Sequence, residues 1–171
     1  MSPPDTDIFG VLCAADPDVM DRDELAELTG QLATHQAWCD ALQVRITRRQ
    51  RELAADGHAE PPRDLHSRHG QQSSKDAKAT VEREQVCTAL PAFEDALSSG
   101  AVSAGHVDAI ANATRNLTDE LLAEFHHSQA DLLADAERQG VDVFERGCRD
   151  LAKHLFARYS AHSVAEGGDD L

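Results

Sequence analysis

The chain has 171 residues, 41% hydrophobic but only 4% aromatic, and carries a formal net charge of -15. That length suits one domain, whose core must be built from Leu, Ala and Val rather than from rings. So acidic a chain is not drawn as a whole to nucleic-acid phosphates, and no apolar run is long enough to span a bilayer.

No basic region leads into a hydrophobic stretch at the N-terminus, where Pro3, Pro4, Asp5 and Asp7 stand instead. The chain is therefore expected to be cytoplasmic and without a signal peptide. Residues 1–20 are expected to form a flexible segment, in which Ile8, Phe9, Val11 and Leu12 make one short turn before Asp16, Pro17 and Asp18 interrupt it. A single helical domain is expected over 21–160. A disordered acidic tail over 161–171 should follow, carrying Gly167, Gly168, Asp169 and Asp170.

Asp21 with Glu24 three residues on has the form of a capping box. From there Leu25, Leu28, Leu32, His35, Cys39, Leu42, Ile46, Arg49 and Leu53 alternate steps of three and four, a heptad pattern with two polar exceptions. The helix should run to about Asp56 and end at Gly57. Its seam must pack on the helices after Thr118 or on a second copy. The expected assembly is a homodimer through Leu25, Leu28, Leu32, Leu42 and Ile46.

Pro61, Pro62 and Gly70 mark Gly57 to Ser74 as an exposed loop around one short helical turn at Asp64 to His69. A helix from Ser74 leads through Ala77, Val81 and Cys87 to Pro91, which must kink it or start a new helix. Leu90, Phe93 and Leu97 form one stripe. Gly100 breaks the helix, Ser103 is placed to cap the next, and His106, Val107, Ile110 and Ala111 define its inner face. Thr118 starts a helix through Phe125 and Leu132 to Gly140, and Asp142 caps a last one through Phe144, Cys148 and Phe156. The fold class is all-α, with about five main helices: one long N-terminal heptad helix, and a central hairpin resembling a helix-turn-helix. No alternating stretch demands a strand.

The central stretch from Val86 to Asn112 resembles the domain of unknown function 222. The residues that carry the likeness are Leu90, Pro91, Ala96, Leu97, Gly100, Val102, Ser103, His106, Val107 and Ile110. It extends more loosely from Leu25 to Leu155. That all-helical domain is typical of actinobacterial proteins and their phages, and commonly sits N-terminal to an HNH-type nuclease domain. The resemblance implies a fold and a setting, and no catalytic residue. Related sequences carry a Gly-Leu-Ser turn where this chain has Gly70-Gln71-Gln72-Ser73, so the glycine comes one place early.

Charge is unevenly placed. Between Arg45 and Arg83 there are nine basic and six acidic residues, a surplus of three; the remainder has seven basic and twenty-five acidic. The candidate contacts to DNA or an acidic partner are Arg45, Arg48, Arg49, Arg51, Arg68, Lys75, Lys78 and Arg83. The alternatives are a helix hairpin with solvated charges, and cations drawn to the C-terminal end of the long helix. The turn motif of Leu90, Pro91, Leu97, Gly100, Ser103, His106 and Val107 is expected to be structural.

The four cysteines stand far apart, and buried reduced thiols are the expectation over a zinc site. His66 and His69 lie one turn apart and His126 and His127 are adjacent, but no third ligand accompanies either pair. No metal, cofactor or small-molecule substrate is expected. An HNH site needs a histidine base and metal ligands on a strand-strand-helix hairpin, and no His-Asn…His arrangement follows Phe156. The expected function is a non-catalytic module that positions a nuclease domain on DNA or on a partner protein. The alternatives are a small DNA-binding regulator and an inactive remnant or N-terminal fragment of a nuclease.

Overall fold

The computed structural model describes residues 6–166, and every regular element among them is helical. The order is α1 (Thr6–Ala14), a 3-10 turn (Pro17–Val19), α2 (Arg22–Ala55), α3 (Pro62–His69), α4 (Ser74–Ala89), α5 (Pro91–Ser99), α6 (Ala104–Thr114), α7 (Asp119–His127), α8 (Gln129–Arg138) and α9 (Val141–Glu166). The all-α class holds. The expected five main helices become nine among the described residues, for identifiable reasons. Pro91 starts a new helix rather than kinking one, because it has no amide to continue the ladder. Ser128 ends α7 by donating its amide to Phe125 O at 3.1 Å and opens α8 by accepting from Leu132. The expected flexible segment over 1–20 and disordered tail over 161–171 lie partly outside the described residues. Where described, residues 6–14 form α1, and α9 continues to Glu166.

The chain falls into two compact units, Met1–Ala104 and Gly105–Leu171. The two helices of the expected central hairpin, α5 and α6, therefore belong to different units.

The first unit is built on α2. Asp21 caps it: its carboxylate accepts from the amides of Asp23 and Glu24 at 2.9 and 3.0 Å, while its own amide donates to Glu24 Oε2 at 2.8 Å. Asp56 and Gly57, at φ 74°, close the other end. Helices α4 and α5 pack along α2, and α3 packs on α4. The residues α2 buries are Ala37, Ala41, Val44 and Thr47. At 100° per residue these lie opposite the Leu25-to-Leu53 seam. Small side chains let α4 and α5 approach closely, so packing selects the alanine stripe over the leucine stripe. Leu25, Leu32 and Ile46 of the seam are exposed, and α1 touches that face through Phe9, whose ring lies 6.1 Å from His35.

In the second unit α7 and α8 pack on α9 around Leu121, Phe125, Leu132, Ala136, Phe144, Cys148 and Leu155. Thr118 caps α7, accepting from Leu121 at 3.5 Å. His106 of α6 is buried, bonds the Gln139 carbonyl at 3.0 Å and lies 5.5 Å from the Phe144 ring. A carbonyl only accepts, so Nε2 carries the proton.

Gly100 ends α5 at φ 78°, and Ala101 donates to Ala96 O at 2.9 Å. A Cβ here would stand 2.7 Å from Thr34 Cγ2 of α2. Both the backbone and the neighbouring helix thus require glycine. Gly100→Ala should lower stability by about 1–3 kcal/mol, read from urea unfolding; an unchanged midpoint would contradict the close approach.

Candidate functional site

The basic segment gathers where α2, α3, α4 and α5 meet. Its centre is not a cation but a carboxylate. Glu84 sits on the stripe of α4 that faces α2, in step with Ala77, Thr80 and Cys87, and its side chain is 0% exposed. A lone buried charge costs several kcal/mol, so this one needs partners. Arg48 and Arg51, one turn apart on α2, supply them. Arg48 Nε lies 3.7 Å from Glu84 Oε1, and Arg51 forms an ion pair with Glu84 Oε2. One turn along α4, the Thr88 hydroxyl donates to Glu84 Oε1 at 2.8 Å.

Arg48 reaches a second carboxylate. It donates to Glu94 Oε2 at 2.5 Å and to Oε1 at 3.4 Å, a two-pronged contact that ties α2 to α5. The bond to Glu94 raises the Arg48 pKa above its ordinary value, against the opposing effect of burial. Arg83 of α4 crosses to Asp40 of α2 at 3.2 Å.

Charge counting then decides what is left. The segment from Arg45 to Arg83 has nine basic and six acidic residues, and packing adds Asp40, Glu84 and Glu94 from outside it, so the surplus of three is cancelled. Arg48, Arg51 and Arg83 are committed to these cross-helix pairs, although the Arg48 and Arg51 side chains stay partly exposed. Arg49, Arg68 and Lys78 pair with Glu52, Glu60 and Glu82 at 2.8, 2.7 and 3.4 Å on the surface. Such exposed pairs contribute at most about 1 kcal/mol and yield readily to another anion. Lys75 is exposed with no ion pair among the described residues, and Arg45 is half-buried with an unbonded Nε.

The hairpin of α3 and α4 differs from the expected turn. The left-handed residue is Gln71, at φ 53°, while Gly70 has φ -84°. Ser73 caps α4, accepting from Asp76 at 3.1 Å. His66, one turn from His69 and not expected to hold a metal with it, is buried against Thr47 at 2.8 Å. The single Thr47 hydroxyl proton goes to Gln43 O at 2.8 Å, so His66 Nε2–H donates to Thr47. This bond fixes α3 on α2. Residue spacing gives one signal for the network: Ala77, Thr80, Glu84 and Cys87 step by helical intervals, with a carboxylate inside a buried stripe.

The apolar and histidine positions of the turn motif are buried, whereas Pro91 and Ser103 are exposed. Leu90, Leu97, Val102, His106, Val107 and Ile110 are buried, Pro91 opens α5, and Ser103 directly precedes α6. Of the four cysteines expected to be buried, Cys87 and Cys148 are; Cys13 and Cys39 are exposed, Cys39 because it lies on the seam side of α2. Burial, then Asp135 and Glu145, push the Cys148 thiol up to about 12, so it is no thiolate nucleophile at neutral pH. It lines a cavity of about 260 Å³ with Leu132, Phe144 and Leu151. Among the described residues no three His, Cys, Asp or Glu stand together as a metal site, and no helix is long and apolar enough to cross a membrane.

No protein-family model, curated protein or solved structure matched the chain.

Burial lowers the His66 pKa below 6.5. The unfolded chain therefore takes the proton more readily, and stability is full above about pH 6.5 and falls as pH drops below it. Urea midpoints should decline on acidification and the decline should be shallower in His66→Gln. His126, also lowered by burial, keeps its own share in the variant. An identical slope in both proteins would contradict the burial of His66.

Proposed function

We propose that this chain is a non-catalytic helical interaction module of the kind found beside HNH nuclease domains, and that it engages a protein partner rather than duplex DNA. Two lines support the reading. The resemblance over Val86 to Asn112 supplies the setting, and its residues serve packing and turn geometry rather than chemistry. The observation that carries the choice of partner is the cancelled surplus: Arg48, Arg51 and Arg83 are held by Glu84, Glu94 and Asp40. A phosphate competing for them would leave Glu84 buried and unpaired.

The DNA-binding regulator draws its support from Arg49, Arg68, Lys75 and Lys78, whose charge is exposed. Fluorescence anisotropy with a labelled duplex separates the two. The expected result is no saturable binding even at low salt. Binding that weakens by about one logarithmic unit per phosphate contact per tenfold salt, and whose slope flattens when those four residues are replaced, would establish DNA as the partner.

Activity has its own test. The chain alone should not nick supercoiled plasmid with magnesium, manganese or zinc, since no metal-binding hairpin stands in its sequence. Nicking abolished by a single substitution in this chain would overturn the non-catalytic reading.

A further inference from the structure

The long helix α2 carries two stripes; its own unit buries one and covers the other only in part. Ala37, Ala41, Val44 and Thr47 are buried, while the seam on the opposite side is touched by α1 at His35 and otherwise faces outward: Leu32 is 44% and Ile46 45% exposed, with Leu25 and Cys39 also exposed. Leu28, Leu42 and Leu53 of the same seam are half-buried. The exposed Phe9 of α1 adds to the apolar surface beside His35. The seam spans about 40 Å of helix at 1.5 Å per residue.

We propose that this face pairs with the same face of a second copy, the two α2 helices running antiparallel. The proposal is independent of the reading of function above. Its first support is the period. Steps of three and four sustained from Leu25 to Leu53 suit knobs-into-holes packing against a helix of the same period, and a second α2 supplies one. Leu25, Leu32 and Ile46, exposed along that one stripe, otherwise leave apolar surface in water.

Charge favours one direction. Asp21, Asp23, Glu24 and Glu27 outnumber Arg22 at the N-terminal end, while Arg45 and the exposed Arg49, whose surface pair with Glu52 yields readily, remain at the other once Arg48 and Arg51 are committed to Glu84 and Glu94. A parallel pair would set the acidic ends together and bury Arg49 against its own copy within the seam. An antiparallel pair brings each Arg49 toward the partner's acidic first turns, and it opposes the two helix dipoles. Cys39, at the midpoint of the seam, would then lie close to the two-fold axis.

Sedimentation equilibrium on the full chain is the test. It should give twice the chain mass at micromolar concentration. Leu32→Glu and Ile46→Glu should each weaken association at least about tenfold with helical circular dichroism unchanged, because both side chains face solvent in the single chain. A monomer at high concentration, or a dimer indifferent to both substitutions, would overturn the proposal. Orientation is read from spin labels on Asp23→Cys in a chain with Cys13 and Cys39 replaced by serine. Antiparallel pairing places the labels more than about 30 Å apart; a short distance would overturn the orientation.

Discussion

A carboxylate at Glu84, fully withdrawn from water, is the constraint on which the first unit depends. Its charge must be met from α2, so α4 can dock only in the register that brings Glu84 to Arg48 and Arg51. Arg48 then carries the link onward to Glu94 of α5, and Arg83 returns it to Asp40. Ordinary apolar contacts fill the space around this frame, with Phe93 and Leu97 buried completely. Buried ion pairs give little net stability but penalise wrong arrangements, and here the penalty would fall on any shifted pairing of α4 with α2.

The same frame bears on function. A run of arginine at the end of a long helix reads as an anion-binding surface when only neighbours in sequence are considered. Packing changes the sum, because the carboxylates that neutralise it come from elsewhere in the chain. What stays outward is a thin set of exposed cations, Arg49, Arg68 and Lys78 paired with nearby acids and Lys75 without one among the described residues, together with an apolar seam. The exposed surface of α2 thus combines few cations with an apolar stripe, the balance from which a protein partner is proposed.

Local features were legible in the sequence wherever the physics is local. The Asp21 capping box, the stop at Gly57, the new start at Pro91, the left-handed Gly100 and the Thr118 cap each depend on residues within one turn. Ser128 was not legible, since a serine with no glycine or proline beside it sits in many helices without breaking them. The choice of α2's buried face was not legible either. Leucine outranks alanine in hydrophobicity, so the seam reads as the core; close approach to α4 and α5 reverses the order. The Arg48–Glu84–Arg51 network joins residues more than thirty positions apart, and charge counting along the chain does not see such pairs.

Arg48 and Arg51 of α2 tie it to α4 and α5 through Glu84 and Glu94. A double-mutant cycle tests this link most directly, with Arg51→Met, Glu84→Leu and their combination compared by urea unfolding. Arg51→Met alone should cost about 2–3 kcal/mol, less than a fully buried pair because Arg51 is 40% exposed. The double variant should regain part of that loss, with a coupling of about 1–3 kcal/mol. Small, additive effects would mean that Arg51 and Glu84 do not depend on each other, and would return these cations to the surface as free contacts.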